Sequence, residues 1–401
     1  MTVKKVSCRE LVKTSESACI KNFCNLFDCL ALKDFKYTPG EDREAYLTYV
    51  EKWFVFALIW SVGCTVESES RVEIEQIIRE VMTGIPLTGT VYDYYINPDR
   101  KDFQMWAENK VPKDETKFFK DKKFHEIQVQ TVDSVRNRYV VEALLGNPKT
   151  QILLVGHSGV GKTSLVEGVL RSIDHTQMSF TLNFSAGTTS NGVQEIIESN
   201  YNRGAKNKFK PKNSKTKAIC FIDDLNMPRL DTFGSQPPLE LLRQFITYGY
   251  WYDRTLIVKN EIEKLQILAC MGMPGGGRAV INNRILSRFH LINYTVLDEA
   301  SMMKIYKTIA DSKFTQFNEE IKVLTEQIAL STIALFNFVQ KEFRPIPAKS
   351  HYIFNMRDIS KVFEGLYLAD KSFVESKEQI VKMWSHEVLR VFYDRLIEPS
   401  D

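Results

Sequence analysis

Hydrophobic positions recur at helical spacing through the first fifth of the chain. Ile20, Phe23, Phe27 and Leu30 fall on one face of a helix expected within residues 1–45. Two more helices are expected over 46–82. The first carries Trp53, Phe54, Phe56, Leu58, Ile59 and Trp60, too apolar to face water, and the second places Ile74, Ile77, Ile78 and Val81 on one side. From Thr83 to Lys123 the periodicity dissolves. Pro86, Gly89, Pro98 and Pro112 punctuate it, while Tyr92, Tyr94, Tyr95, Phe103 and Trp106 anchor it, which predicts an extended but packed connector rather than a free linker.

From about Phe124 the texture changes. Val132 to Leu145 predicts a helix. Short apolar runs at 151–155, 180–184, 218–222, 265–271 and 290–296 predict five strands alternating with helices, hence an α/β layer with a mainly parallel sheet covered on both faces. After Leu297 the pattern is helical again, through Phe317, Ile321, Leu324, Ile328, Leu335 and Phe338, then Ile380, Trp384, Val388, Val391 and Leu396. The expected division is a helical extension and connector at 1–123, an α/β core at 124–297 and a helical part at 298–401.

Composition adds exclusions. Over 401 residues, 53 basic side chains stand against 50 acidic ones, a net charge of +3, which makes no electrostatic case for nucleic acid or an anionic membrane. The longest apolar run, Phe54 to Val66, falls short of the about 20 residues a spanning helix needs. Seven cysteines without CxxC spacing fit neither a zinc site nor a disulfide framework. These features predict a reduced, soluble, intracellular protein.

The strongest chemical signal is Gly156-His157-Ser158-Gly159-Val160-Gly161-Lys162-Thr163, a G-x-x-x-x-G-K-[ST] loop between a strand and a helix. The glycines let backbone N–H groups converge on phosphate oxygens, and the helix that follows adds its N-terminal partial charge. Lys162 supplies a cation to the β- and γ-phosphates, and Thr163 a hydroxyl to Mg²⁺. His157 sits at a variable position of the loop and is assigned no role as a base. The second signal is the acidic pair closing the strand AICFI. Asp223 is the candidate to hold Mg²⁺ through water, and Asp224 stands where a water-activating carboxylate is needed.

Weaker features follow. Arg357, in FNMRDI, is either a lid arginine reaching the γ-phosphate or a surface ion pair. Gly272-Met273-Pro274-Gly275-Gly276-Gly277-Arg278 is sufficiently explained as a glycine-rich turn. Arg203 to Lys217 holds seven basic residues and no acid, and is read as a solvated insertion loop. Trp251 and Tyr252 are read as packing residues.

Taken together, DDLNMP at 223–228, FGSQPPLELLRQF at 233–245 and GYWYDR at 249–254 resemble a AAA+ module of dynein heavy chains, most closely the third module in the ring of axonemal dyneins. FVFALIWSVG, TVYDYYIN and VQTVDSVR resemble the segment joining the second module's lid to the third module. HYIFNMRDISKVFEGL and HEVLRVFYDRL resemble the third module's own lid. The resemblance implies a AAA+ P-loop core with a helical lid and a helical N-terminal extension, cut from a much longer chain. It implies ATP or ADP with Mg²⁺ at Gly156–Thr163 and the adjoining Ser164, metal at Thr163 and Asp223, adenine contacts near Val129, a second sensor at Arg357 and a polar switch residue at Asn183. Arg284 or Arg288 would face the preceding module's nucleotide. The implied partners are neighbouring modules of the same heavy chain, other dynein chains, and microtubules only through parts absent here. The implied setting is the cytoskeleton of the cilium or flagellar axoneme.

Two departures bear on catalysis. The family's hydrolysing members usually carry glutamate where Asp224 stands, and aspartate is about 1.5 Å shorter. They often carry asparagine as first sensor where Met271 stands, and methionine cannot orient water by hydrogen bonding. The expectation is a regulatory nucleotide-binding module with slow turnover in isolation. The alternatives are an ATPase completed by an arginine from the next module, or a spacer holding ADP permanently.

Overall fold

The computed structural model describes residues 8–34, 42–82, 84–119, 122–212, 216–398 and 401, with backbone alone for 32–34. The chain divides into two compact units. One runs to Glu108 and takes in Arg136–His157 and Gly161–Val296. The other holds Asn109–Val135, Ser158–Val160 and the residues from Leu297 onward.

The first unit opens with helices α1 (Glu16–Asp34), α2 (Arg43–Ser61) and α3 (Arg71–Val81), followed by the antiparallel hairpin β1 (Tyr94–Asn97) and β2 (Asp102–Met105). Helix α4 (Val132–Leu145) leads to β3 (Gln151–Val155), α5 (Lys162–Arg171), β4 (Met178–Asn183) and α6 (Ser190–Ser199). Short strands β5 (Tyr201–Arg203) and β6 (Lys208–Pro211) precede β7 (Ala218–Asp223) and α7 (Pro237–Tyr248). Then come β8 (Tyr250–Tyr252), β9 (Lys259–Ile262), β10 (Leu265–Met271) and β11 (Phe289–Asn293). The core sheet has the order β11-β3-β10-β7-β4 with every pairing parallel. Its interior strands are covered on both faces, so they read as mainly apolar runs rather than alternating ones, with Gln151 and Gln266 the buried polar exceptions in β3 and β10.

The outer edge of β11 is closed by polar side chains. Asn22 Nδ2 donates to Phe289 O (3.3 Å), Cys64 Sγ to Leu291 O (3.4 Å) and Arg71 Nη2 to Asn293 O (3.3 Å). Alternate carbonyls, which β3 cannot reach, thus each find a donor from an N-terminal element. This removes a free strand edge that would otherwise template aggregation. Two links run through side chains of β11: Asn293 Nδ2 donates to Thr65 O (2.6 Å), and His290 Nε2 lies 2.9 Å from Trp60 O. Burial pushes the His290 pKa down to about 4, so the ring is neutral at ordinary pH. Asn293→Ala leaves the buried Thr65 carbonyl without its donor and is expected to cost about 1–2 kcal/mol in chemical denaturation, with the slope unchanged.

Several expectations need correction. In α1 the buried face is Cys19, Asn22, Leu26 and Leu30, while Ile20 is exposed; Phe23 and Phe27 are half-buried against Phe54. Cys19, Cys29 and Asn22, which the expected stripe left out, complete it. Val81 is exposed at the end of α3, where the core no longer reaches, and so is Phe338. The connector is not simply extended, because 94–105 folds into the hairpin that buries Tyr94, Tyr95 and Ile96. The basic run is not a loop: β5 and β6 belong to a four-stranded sheet of order β5-β6-β9-β8. Its residues 213–215 lie outside the described residues, and its last lysine, Lys217, is buried, donating to Leu145 O and to Gln266 Oε1 (2.7 Å). Finally, the stretches Arg43–Thr65 and Glu319–Glu342 are long and apolar enough to cross a membrane by length and composition. Residues flanking the run 54–66 extend the apolar window beyond what the run alone suggested, and Trp53, Phe56 and Trp60 spend that apolarity inside the fold.

The second unit is built on α8 (Glu299–Phe314), α9 (Glu319–Glu342), α10 (Met356–Tyr367) and α11 (Lys377–Val391). Asp298 caps α8 by accepting from Ser301 N (2.9 Å), and Asn355 with Asp358 forms a capping box on α10. Tyr306 stacks on Phe363 with ring centroids 4.7 Å apart, and its hydroxyl donates to Met356 O (3.1 Å). Lys304 Nζ donates to Gln130 O (2.7 Å), tying the 109–135 segment to α8.

Candidate functional site

The sheet delivers its chemistry at the carboxyl ends of three adjacent strands, where parallel α/β sheets place their ligands. β3 ends in the glycine loop, β7 in Asp223, and β10 between them in Met271. Gly156 N donates to Met271 O (3.3 Å), which fixes the entry to the loop. Met271 therefore serves through its backbone, and its buried side chain offers no donor or acceptor of the first-sensor kind.

Glycine is required at specific places in the loop. A Cβ on Gly156 would lie 2.5 Å from the backbone oxygen of Tyr294. Gly159 (φ 83°) and Gly161 (φ 97°) occupy the left-handed region. Within the second unit, a Cβ on Gly159 would meet Asn355 Oδ1 at 3.0 Å. His157 and Ser158 are exposed, and Val160 is the loop's buried anchor. Gly161 is the N-cap of α5, so the helix starts at Lys162 with its first N–H groups unpaired inside the helix. Ser164 is exposed on the first turn of α5.

The Lys162 ammonium is buried and donates to Gly156 O (2.9 Å) and His157 O (2.6 Å), inside the curve of the loop. Burial lowers its pKa, while the nearby carboxylates of Asp223 and Asp224 oppose that shift. Thr163 Oγ1 donates to Asp223 Oδ2 at 2.9 Å. A hydroxyl and a carboxylate in contact, beside a lysine and a glycine cradle, are the oxygen donor set a small hard cation takes, so these residues fit Mg²⁺ with a polyphosphate. Asn183, at the end of β4, pairs in register with Asp223 and is exposed.

Asp224 has a left-handed backbone (φ 52°), and its N–H donates to Asp223 Oδ1 (3.0 Å). Its Oδ1 accepts from Arg278 Nη2 at 3.3 Å. Arg278 is the residue that motif reading passed over. The available signal was Gly272: a Cβ there would sit 2.8 Å from Arg278 Nε, so this glycine makes room for a side chain besides forming a turn. Trp251 packs as expected, and its Nε1 also donates to Glu198 Oε1 (2.7 Å), whereas Tyr252, expected to pack as well, is exposed on the outer face of β8.

The remaining candidates divide by unit. Arg284 is exposed on the single helical turn Asn283–Leu286, whereas Arg288 is half-buried. In the second unit, Val129 is half-buried against the helical core. Arg357 is exposed in the first turn of α10, and among the described residues it makes no ion pair. The ion-paired residue is its neighbour Asp358, which accepts from Arg395 Nη1 (2.9 Å).

Comparison with known proteins agrees with this geometry. The chain matches the P-loop containing dynein motor region over residues 116–297, the dynein heavy chain AAA lid domain over 1–108 and the dynein heavy chain ATPase lid domain over 305–401. It is 42% identical to human dynein axonemal heavy chain 2 along its whole length, covering 9% of that protein. It is 37% identical to the dynein-1-beta heavy chain of the flagellar inner arm I1 complex of Chlamydomonas reinhardtii, over 99% of this chain and 9% of the relative. It is 34% identical to mouse dynein axonemal heavy chain 1, over 98% of this chain and 10% of the relative. The chain thus spans about a tenth of the length of the curated relatives it matches. A parallel sheet whose carboxyl ends lead into the glycine loop with Lys162 and Thr163 and into Asp223, with dynein motor and lid segments from end to end, makes the chain a member of the dynein heavy-chain family, in its axonemal, AAA+ form.

Proposed function

We propose that this chain binds ATP or ADP with Mg²⁺ in the loop Gly156–Thr163 and acts as a regulatory module of an axonemal dynein motor, the third of the ring. The observation that carries the proposal is the Thr163–Asp223 contact beside the buried Lys162 ammonium. In this reading Gly156 to Ser164 supply amide hydrogens and hydroxyls to the phosphates, and Lys162 turns from the loop carbonyls to them. Thr163 and Asp223 hold the metal, which when bound neutralises phosphate charge. The adenine lies near Val129. Residues 1–123 act as the lid and connector of the preceding module, 124–297 as the nucleotide-binding core, and 298–401 as this module's lid, with Arg357 as its nucleotide sensor. Arg284, more exposed than Arg288, is the better placed to reach a neighbouring module. The cilium or flagellar axoneme is the setting that the names of the relatives suggest.

Hydrolysis is slow in this reading. Asp224 is short, tied to Arg278 and held in a left-handed turn, all of which work against placing its carboxylate on an attacking water. The test is calorimetric titration with ADP and ATP, each with and without Mg²⁺. Binding should strengthen with the metal in the parent chain. In Asp223→Ala the metal-dependent increment, expected at about 10-fold or more, should disappear while metal-free binding persists. A titration showing no nucleotide binding in the parent chain would defeat the proposal.

A further inference from the structure

Within the second unit, both backbone groups of Gln130 are held by side chains of opposite charge. Its N–H donates to Glu115 Oε2 (2.9 Å), and its carbonyl accepts from Lys304 Nζ (2.7 Å). Lys304 stands on α8 and also donates to Pro112 O (3.4 Å). Glu115 is buried, which raises its pKa, while the Gln130 amide and the Lys304 charge oppose that rise. Burial lowers the pKa of Lys304, and the Glu115 charge opposes it. Taking two charges out of water to grip one residue of irregular backbone is costly. Packing alone does not call for it, because Ile127 and Val129 already anchor this stretch to the helical core.

The neighbours of Gln130 show what the grip isolates. Thr131 N donates to Ser134 Oγ (2.9 Å), and Thr131 O accepts from Ser134 Oγ (2.9 Å) and Val135 N (3.0 Å) where α4 begins. Val129 differs: among the described residues neither its N–H nor its carbonyl takes a hydrogen-bond partner. Its side chain is spent on packing, so the peptide groups are what it has left to offer. One N–H and one carbonyl, held still, present a donor and an acceptor in a fixed order. Adenine carries an acceptor in the ring (N1) and a donor outside it (the N6 amino group). Guanine carries the reverse, N1–H in the ring and O6 outside. A fixed order therefore suits one base and leaves groups unpaired with the other, whereas a loose segment can shift to serve both.

We propose that Glu115 and Lys304 are positioning residues for base recognition: they clamp Gln130 so that the peptide groups of Val129 meet adenine in a single register and refuse guanine. The inference rests on the nucleotide-site reading above, in which the base lies near Val129, and adds to it the source of base selectivity. It also places half of the clamp on α8.

The test is calorimetric titration of the whole chain with ADP, GDP and inorganic tripolyphosphate, each with Mg²⁺, on the parent, Lys304→Met, Glu115→Ala and Glu115→Gln. The parent should prefer ADP to GDP. Lys304→Met and Glu115→Ala should each bind ADP about 10-fold more weakly, with GDP and tripolyphosphate within about 3-fold, so that the preference collapses. Retained tripolyphosphate binding shows that the variants are folded. Glu115→Gln keeps an acceptor for the Gln130 N–H and should keep the preference. Should Glu115→Ala not fold, Lys304→Met, altered at a half-buried position, decides alone. A parent that binds ADP and GDP alike, or a preference that survives in Lys304→Met, would overturn the proposal, and so would equal losses for all three ligands. If the parent binds neither nucleotides nor tripolyphosphate, the underlying site reading fails instead.

Discussion

Lys162→Ala will weaken ADP and ATP binding by about 100-fold or more while leaving the nucleotide-free fold intact. The ammonium donates to two carbonyls inside the curve of the glycine loop, and a charge-assisted contact to phosphate contributes about 1.5–3 kcal/mol. A single lysine donating to two phosphate groups lies at the upper end of that range or above it. Stability should barely move, for a separate reason. Among the described residues the Lys162 ammonium donates to two carbonyl oxygens, and its lowered pKa reports that desolvation outweighs these and the nearby carboxylates. Removing it trades two hydrogen bonds for relief of that desolvation, so denaturation should place the variant within about 1 kcal/mol of the parent. Calorimetry and denaturation on the same preparation separate the two effects. Unchanged nucleotide affinity would remove Lys162 from the site.

Gly156→Ala should strike both properties at once. The added methyl would sit 2.5 Å from Tyr294 O and 3.2 Å from Tyr294 Cβ. Neither atom can step aside cheaply, because Tyr294 N is bonded to Val155 O (2.7 Å) in continuation of the β11 pairing, and Tyr294 is buried. The chain must open the loop instead. Overpacking of this kind costs about 1–3 kcal/mol. A loop displaced by about 1 Å from its phosphate-binding shape is expected to lose about 100-fold in affinity, as misplaced binding groups commonly do. The expected signature is a lower denaturation midpoint together with weakened binding, unlike the Lys162 variant, which loses binding alone. A Gly156→Ala chain with parental midpoint and parental affinity would show that Tyr294 does not hold the position described.

Much of this protein is legible from residues alone. The three interior core strands stand out because strands buried on both faces are mostly apolar, and the glycine loop because only that spacing wraps backbone amides around phosphate. Helix α4 was visible at its exact limits. In α1 the face was misplaced, because hydropathy ranks Cys19, Cys29 and Asn22 below the phenylalanines that the fold leaves half-buried. The ribbon over 201–211 was hidden by its lysines, since alternate positions of an exposed strand are as charged as any loop.

Local sequence thus determined which segments become the core strands and the main helices and where phosphate can be held, because periodicity and the φ freedom of glycine act within a few neighbouring residues. Tertiary structure alone decided that Arg278 lies on Asp224, 54 positions away in the chain, and that Asn22, Cys64 and Arg71 close the edge of β11. Those contacts join residues far apart in sequence. Their energy comes from desolvated polar groups finding partners in space, which no pattern of neighbouring residues encodes.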